Sequence, residues 1–178
     1  MGWKQLDKEY VIHNRGITVR KDHVLLPSGV EIDDFYVIER PKLVHVIAIT
    51  KEGLFVCELQ YRYAINRTCM EICAGIVESD EAPLEAAQRE LLEETGYAGG
   101  EWEMLGKHAI DPSNMTEISY SFLATDVVKV SEQNLEKTEE LETILLTEDD
   151  IKRALQNGEI VSSSMATPLW QYLYSKHK

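Results

Sequence analysis

The sequence has 178 residues, of which 44% are hydrophobic, and this is enough chain to bury one core without disulfides or structural metals. Asp and Glu number 31 against 18 Lys and Arg, a formal net charge of −13, so charge alone does not attract nucleic acid or an anionic membrane. A small anionic substrate would also be repelled unless a cation intervened, which is a first indication that a metal ion matters.

Neither the cysteines nor the N-terminus indicates export. Cys57, Cys69 and Cys73 form an odd, sparse set without C-x-x-C spacing, which is typical of reduced thiols. The N-terminus carries charges and no apolar signal region, and no stretch approaches the roughly 20 apolar residues of a membrane span. We therefore expect a cytoplasmic protein without a membrane or nucleic-acid partner, and its scattered histidines offer no zinc spacing.

Extended segments come first in the chain. Residues 17–20 and 23–26 alternate or are apolar, Pro27-Ser28-Gly29 forms a turn, and residues 30–37 resume an extended pattern. This pattern predicts an N-terminal antiparallel unit. Beyond it, a hairpin is predicted from two apolar runs that suggest strands buried on both faces, 44–49 and 54–60.

A helix is predicted in the middle of the chain. The segment 79–83 supplies an N-cap candidate, early acids and a proline, and Gly96 is the expected stop after about Thr95. The later pattern predicts three strands and two helices: 102–108, 118–125, 141–146, a helix at 148–156 capped by Thr147, and a last helix at 168–175. A single mixed α/β domain is the simplest organisation.

The central helix concentrates carboxylates. At about 100° per residue, one face carries Leu84, Ala87, Leu91 and Thr95, and the adjoining face carries Ala86, Glu90, Glu93 and Glu94. Glu90 and Glu94 are one turn apart, where like charges repel, and a divalent cation would turn that repulsion into coordination. Oxygen ligands of this kind suit Mg²⁺ or Mn²⁺. An acidic, solvated helix face is the alternative.

One string of residues resembles the Nudix signature in every fixed position except the last. Gly75 is followed after five residues by Glu81, and after seven more by the run from Arg89 to Tyr97, R-E-L-L-E-E-T-G-Y, in which Tyr97 replaces the usual aliphatic residue. The resemblance implies an α/β (α+β) Nudix fold, with a mixed β-sheet sandwiched between helices. Residues 1–40 would form an N-terminal β extension and residues 41–178 the hydrolase domain.

The same resemblance implies roles for the residues of the signature. Glu90, Glu93 and Glu94 would bind the metal, and the Ala74 carbonyl would be a further ligand. Arg89 would orient the glutamates by ion pairing, a task that suits its rigid set of donors. Gly75 would lie where the chain turns from strand into loop. The alternatives are an exposed salt bridge for Arg89 and an ordinary turn glycine for Gly75.

Three elements outside the signature resemble the ADP-ribose and ADP-sugar pyrophosphatases. They are Gln60-Tyr61-Arg62, the segment 71–75 with Cys73 in place of the usual proline, and Pro112, fifteen residues beyond Tyr97. This resemblance implies hydrolysis of a nucleoside diphosphate sugar, foremost ADP-ribose to AMP and ribose 5-phosphate. Arg62 and Glu71 would contact the substrate, and the alternatives are a surface ion pair and a strand-end acid.

Relatives in this branch place an aromatic residue against the base and exchange N-terminal strands between subunits. Phe35 lies near the corresponding position, and a core or hairpin aromatic is the alternative. Trp3 is a second stacking candidate unless it belongs to a poorly ordered terminus. The resemblance implies a homodimer that forms through residues 1–40.

The general base in this branch often comes from a loop after the signature helix, which corresponds here to residues 137–142. Glu142 aligns best if residues 141–146 form the next strand, and Glu139 is second. The alternative is that both are solvated loop acids.

Two other functions stay open from the sequence. One is Nudix hydrolysis of another substrate, such as GDP-mannose, a dinucleoside polyphosphate or NADH. The other is a nucleotide-sensing module without turnover, against which the retained Glu90, Glu93 and Glu94 and the short acidic chain argue.

Overall fold

Ten strands and three helices make up the part of the chain that the computed structural model describes, residues 2–14 and 16–176. The strands are β1 Lys4–His13, β2 Thr18–Leu25, β3 Glu31–Glu39, β4 Leu43–Thr50, β5 Phe55–Arg62, β6 Arg67–Ile76, β7 Tyr97–Ala98, β8 Glu101–Ala109, β9 Ile118–Lys129 and β10 Leu141–Leu146. The helices are α1 Pro83–Glu90, which a π-helical turn at Leu91–Thr95 continues directly, α2 Glu148–Asn157 and α3 Ser163–Ser175.

The chain divides into two units. The first unit contains the residues up to Lys42 together with Ala109–Ile118, and the second contains Leu43–His108 and the chain from Ser119 onward. The segment Ala109–Ile118 joins the first unit through backbone hydrogen bonds on both sides of Ile38: Ile38 N donates to Asn114 O at 2.8 Å, and Thr116 N donates to Ile38 O at 3.1 Å.

An antiparallel sheet in the order β1-β2-β3 forms most of the first unit. Lys4 pairs with Leu25, and Thr18 pairs with Glu39, as the predicted antiparallel unit requires. The expectation of a poorly ordered terminus is wrong, because β1 begins directly after Trp3 and pairs with β2. Charged residues interrupt the apolar alternation of β1, so its order depends on pairing with a partner strand and not on local propensity.

A seven-stranded mixed sheet forms the centre of the second unit, in the order β10-β5-β6-β4-β9-β7 with β8 paired to β9. β4 runs parallel to β9 and antiparallel to β6, and is buried at every position after Leu43. The predicted hairpin corresponds to β4 and β5. β6 has no counterpart among the predicted strands, because its acidic and glycine residues interrupt the apolar pattern.

The two faces of this sheet carry separate cores. Successive residues in a strand point to opposite faces, so Val56 packs with α1 residues while its neighbour Cys57 packs with α2 and α3. The mixed sheet therefore lies between helices, as the Nudix resemblance implies. Among the described residues, none of the helices combines the length and apolar character that crossing a membrane requires.

The start of α2 agrees with the prediction, whereas the start of α3 does not. Thr147 caps α2 by accepting a hydrogen bond from Asp150 N at 3.2 Å, as predicted. The predicted start of α3 at Pro168 is wrong, since α3 begins at Ser163. Proline inside a helix removes one hydrogen bond, and here Pro168 and the following Leu169 are buried in the packed face, which offsets that loss.

Candidate functional site

The acidic residues of the signature lie at the junction of α1 and the π-helical turn. Glu90 is the last residue of α1, and Glu93 and Glu94 lie within the turn. A π-helical turn is wider than an α-helical one and often marks a functional site. It separates two neighbouring acids: the Glu93 side chain is 40% exposed, whereas Glu94 is 7% exposed. The glutamates of the predicted acidic face therefore differ in exposure, and the placement of Ala86 on that face is wrong, because Ala86 belongs to the core.

The absence of a side chain at Gly75 leaves space for the Glu90 side chain. A Cβ atom added at Gly75 would lie 2.0 Å from Glu90 Cδ, so the Glu90 side chain would have to move to admit it. Gly75 pairs with Val44 inside β6, one residue before that strand ends. β6 ends at Ile76, so Gly75 lies next to the point where the chain passes from strand into loop. Close approach of the Glu90 carboxylate is a second reason for glycine at this position.

Arg89 donates hydrogen bonds to three acidic side chains. Its Nε donates to Glu81 Oε1 at 2.9 Å, and its Nη1 donates to Glu90 Oε1 at 2.8 Å and to Glu93 Oε2 at 3.1 Å. The hydrogen bond from Arg89 lowers the pKa of Glu81 below its ordinary value. This guanidinium thus holds three carboxylates in fixed directions, and the arrangement fits the orienting role that the sequence predicts.

Glu94 is buried among other acidic groups. Its Oε2 accepts a hydrogen bond from Ala74 N at 3.3 Å. Burial is the main cause that raises the pKa of Glu94 to about 7, and the nearby charges of Glu90 and Glu139 raise it further, while hydrogen bonds from Cys73 and Ala74 oppose the shift. Because burial disfavours the charged form, a cation beside Glu94 would be strongly stabilising.

Glu58 was not predicted as a site residue. It lies on β5 directly opposite Glu71 of β6 and is 3% exposed. Burial raises the pKa of the Glu58 carboxyl well above its ordinary value, and the charges of Glu94 and Glu71 add to the effect. An acid within the otherwise apolar stretch F-V-C-E-L is the signal in the sequence that could have identified Glu58.

Arg62, the last residue of β5, forms an ion pair with Glu71 in the middle of β6. Arg62 Nε donates to Glu71 Oε1 at 2.7 Å, and Arg62 Nη2 bonds the other carboxylate oxygen. The Arg62 side chain is 45% exposed, whereas that of Glu71 is 5% exposed. Glu71 therefore fixes the orientation of a guanidinium that stays accessible from solvent.

The two candidate bases lie in different environments. Glu142 is exposed and pairs with Leu59 in the β10–β5 ladder, so it points to the face opposite that of Glu58. Glu139 lies in the turn before β10, and its charge raises the pKa of both Glu90 and Glu94. The choice between Glu142 and Glu139 stays a prediction, and these environments favour Glu139.

Phe35 and Pro112 belong to the first unit. The Phe35 ring packs edge-to-face against Trp3, with 5.4 Å between the ring centroids, and Pro112 is an exposed turn residue. Within that unit, Trp3 stays half exposed. The two aromatic candidates for base stacking are thus neighbours, and their role stays a prediction.

The donor set fits a divalent cation. The carboxylate of Glu94 accepts a hydrogen bond from Ala74 N, one residue before the signature begins. Arg89 supplies the only cation bonded to Glu90 and Glu93 in the described part of the chain. Oxygen donors of this type bind Mg²⁺ or Mn²⁺ together with water and phosphate oxygens. The group of Glu90, Glu93 and Glu94 is therefore a candidate metal site.

Comparisons with known proteins agree with this arrangement. Residues 40–164 match the NUDIX domain, and residues 3–38 match the nucleoside diphosphate sugar hydrolase N-terminal domain. The chain is 30% identical over 174 residues to the ADP-ribose pyrophosphatase of Bacillus subtilis (strain 168), covering 97% of this chain and 93% of that protein.

Two further similarities extend over nearly the whole chain. The chain is 32% identical over 171 residues to the methanol dehydrogenase activator of Bacillus methanolicus, covering 96% of this chain and 91% of that protein. A solved structure described as an ADP compounds hydrolase has a TM-score of 0.83 at 20% identity, covering 99% of this chain and 96% of that one. At that identity the structural match shows a shared fold.

Replacing Gly75 tests the clearance that Glu90 requires. Because the Cβ of Gly75→Ala would overlap the Glu90 carboxylate, we expect at least a tenfold weaker affinity for Mn²⁺, measured by electron paramagnetic resonance of free Mn²⁺. Gly16→Ala is the control, since its Cβ would meet Asn14 Oδ1 at an ordinary 3.6 Å. Unchanged affinity in folded Gly75→Ala protein would contradict this role.

The buried Glu94 carboxyl predicts a pH dependence of stability in metal-free protein. Its pKa is about 7 in the folded chain against an ordinary 4.5, so between these values the folded state binds more protons and stability falls as pH rises. With a chelator present, we expect urea unfolding to show a loss of roughly 1–3 kcal/mol across this window.

Glu94→Gln should flatten that pH dependence, because the amide does not titrate. Glu103→Gln removes an exposed acid on β8 and should leave the dependence as it is. An identical pH dependence in wild-type protein and Glu94→Gln would contradict the assignment to Glu94.

Proposed function

This chain belongs to the Nudix hydrolases, and from that premise we propose that it hydrolyses the diphosphate bond of a nucleoside diphosphate sugar, foremost ADP-ribose to AMP and ribose 5-phosphate, with Mg²⁺ or Mn²⁺. The observation that carries the proposal is the pair of signature acids Glu90 and Glu93 held by the Arg89 guanidinium. The buried carboxyl of Glu94, one helical turn from Glu90, and the Arg62–Glu71 pair accompany them. Support for the substrate class comes from the match of residues 3–38 and from the Bacillus subtilis relative.

The chemical obstacle in this reaction is electrostatic. The anionic oxygens of a diphosphate repel an incoming nucleophile, and the acidic surface of this chain adds to that repulsion. When bound, a divalent cation neutralises diphosphate charge and lowers the pKa of an attacking water. Glu90, Glu93 and Glu94 would hold that cation, with the Ala74 carbonyl as a further ligand, and Arg89 would keep the first two carboxylates aimed at it.

Arg62 would position the substrate. Its Nε and Nη2 are bonded to Glu71, and we assign its remaining Nη1 to a phosphate oxygen. Because Glu71 fixes the plane of the guanidinium, little side-chain freedom is lost when the phosphate binds. Glu71 therefore contributes to binding through Arg62. Phe35 in the first unit, with Trp3 packed beside it, is the proposed stacking partner for the base.

Glu139 is the proposed general base. It is half buried, and its charge reaches both Glu90 and Glu94, so it lies near the place where the attacking water would be held. The base takes the proton of that water while the diphosphate bridge breaks, leaving the charge on the departing phosphate. Glu142, on the opposite face of its strand, is the second candidate.

A second candidate function comes from the Bacillus methanolicus relative, which is named as a methanol dehydrogenase activator. We propose that assays of this chain include the effect on a methanol dehydrogenase. Stimulation that survives Glu94→Gln would support an activator role independent of hydrolysis, and its absence would remove this candidate.

The proposal is tested by turnover on a panel of ADP-ribose, ADP-glucose, GDP-mannose, diadenosine polyphosphates and NADH, each with Mg²⁺ and with chelator. We expect the highest kcat/KM for ADP-ribose, release of AMP, and loss of turnover with chelator. Another preferred substrate would keep the hydrolase and discard the ADP-ribose assignment.

Glu94→Gln should lower kcat by at least 100-fold in saturating Mg²⁺, because it removes a buried ligand without changing the shape of the side chain. Glu103→Gln is the matched control and should retain wild-type kcat. Near-wild-type turnover by Glu94→Gln would rule out Glu94 as a metal ligand.

The choice of base is tested by comparing Glu139→Gln with Glu142→Gln across pH. Removing a general base costs roughly 100- to 10,000-fold in rate, and the rise of kcat with pH that reports its ionisation should disappear in Glu139→Gln alone. Glu140→Gln, an exposed neighbour, is the control. If only Glu142→Gln loses the pH-dependent rate, the assignment passes to Glu142.

We also propose that the first unit forms a homodimer. β1 is exposed along its whole length, and Tyr10, Val11 and Ile12 near its end are each at least 43% exposed, which leaves an apolar strand end for a second copy. Light scattering should give twice the 20.3 kDa chain mass for wild-type protein and the single mass for Val11→Asp. Val130→Asp, at an exposed position of the second unit, should remain dimeric, and a monomeric wild type would contradict the proposal.

A further inference from the structure

A second group of ligand-type side chains lies beneath the signature helix. Glu58 of β5, Cys73 of β6 and Glu94 of the π-helical turn each place one ligand atom within 4.8 Å of the other two. These three side chains are buried, with 3%, 0% and 7% exposure respectively. They differ from the group of Glu90, Glu93 and Glu94, because two of the three come from the sheet.

Glu58 supplies the evidence that a ligand belongs in this group. Its Oε1 is shielded from solvent and has no hydrogen-bond partner among the described residues. Leaving a buried carboxylate oxygen unpaired is costly, and buried carboxylates normally pair with a cation or coordinate a metal. Arg62, the nearest guanidinium on these strands, already bonds both oxygens of Glu71 across from Glu58.

The distances suit a single small cation. Protein oxygen and sulfur ligands lie about 2.0–2.3 Å from a transition metal, so ligand atoms around one ion are separated by up to about twice that distance. The separations, at most 4.8 Å, exceed this limit by no more than a few tenths of an ångström, so small side-chain movements would bring the three ligand atoms onto one ion. The hydrogen bond that Ala74 N donates to Glu94 Oε2 keeps the Glu94 carboxylate in position for this arrangement.

We propose that Glu58, Cys73 and Glu94 form an inner cation site that takes a transition metal such as Mn²⁺, Co²⁺ or Zn²⁺ in preference to Mg²⁺. The inference rests on the proposed function only in treating Glu94 as a metal ligand. The thiol of Cys73 decides the preference, because Mg²⁺ takes oxygen ligands whereas these metals also accept thiolate. Binding would release the thiol proton to solvent and would link β5, β6 and the π-helical turn through one ion.

Cobalt binding without substrate tests the sulfur ligand. Co²⁺ alone, added to the chelator-treated full chain, should give the near-ultraviolet charge-transfer band of a cobalt–thiolate bond. The band should be present in wild-type protein and in Cys69→Ala, and absent in Cys73→Ala. Cys69 is the matched control, since it is equally buried and lies on the same strand four residues earlier. A band that persists in Cys73→Ala, or no band in wild-type protein, would overturn the sulfur ligand.

Mn²⁺ affinity tests the contribution of Glu58. We expect Glu58→Gln to weaken Mn²⁺ binding at least tenfold in calorimetric titration and to reduce the Mn²⁺-dependent rise in Tm, while Glu103→Gln changes neither. Wild-type Mn²⁺ affinity in Glu58→Gln would overturn the inference. If Glu58→Gln does not fold, the cobalt comparison between Cys73→Ala and Cys69→Ala decides alone.

The outcomes separate this inference from the proposed function. Metal-dependent hydrolysis of ADP-ribose together with unchanged Mn²⁺ affinity in Glu58→Gln would retain the function and reject the inner site. A cobalt–thiolate band and weakened Mn²⁺ binding in Glu58→Gln, without turnover on any substrate, would retain the inner site and reject the function.

Discussion

Repulsion among carboxylates is the interaction that shapes the second unit. Glu58, Glu90 and Glu94 are largely removed from water near one face of the sheet, and burial raises the pKa of each. One guanidinium, Arg89, compensates part of that charge by bonding Glu81, Glu90 and Glu93. Glu94 accepts hydrogen bonds from Ala74 N and Cys73, and Glu58 Oε1 has no partner among the described residues. A divalent cation would relieve the unfavourable charge distribution that remains.

The sheet fixes where that charge lies. Strand alternation sends Glu58, Glu71 and Cys73 to the face covered by α1, and sends Ile72 and Cys57 to the face covered by α2 and α3. Gly75 then leaves the space through which the Glu90 carboxylate reaches the strand. The core on the far face packs against β5 and β6, and support of this kind would keep the proposed metal ligands and substrate-binding guanidinium at fixed distances.

Local positive charge would allow this acidic protein to bind an anionic substrate. The chain carries a net charge of −13, which disfavours approach of a nucleotide. The Arg62 side chain is pinned by Glu71 and half exposed, and together with cations held by the glutamates it would reverse the field locally. Binding and catalysis would then depend on the same ions.

The sequence by itself determined the signature helix, most strands of the sheet and the identity of the acidic residues, because apolar periodicity, caps and motif spacing are local properties. It missed β1 and β6, whose order depends on pairing with strands elsewhere in the chain. It also missed Glu58 and the close approach of the Glu90 carboxylate to Gly75, and it placed Ala86 on the acidic face. These were decided only by tertiary structure, because strand register determines which face a side chain occupies and the π-helical turn determines which glutamate points inward, and both depend on contacts between residues distant in the sequence.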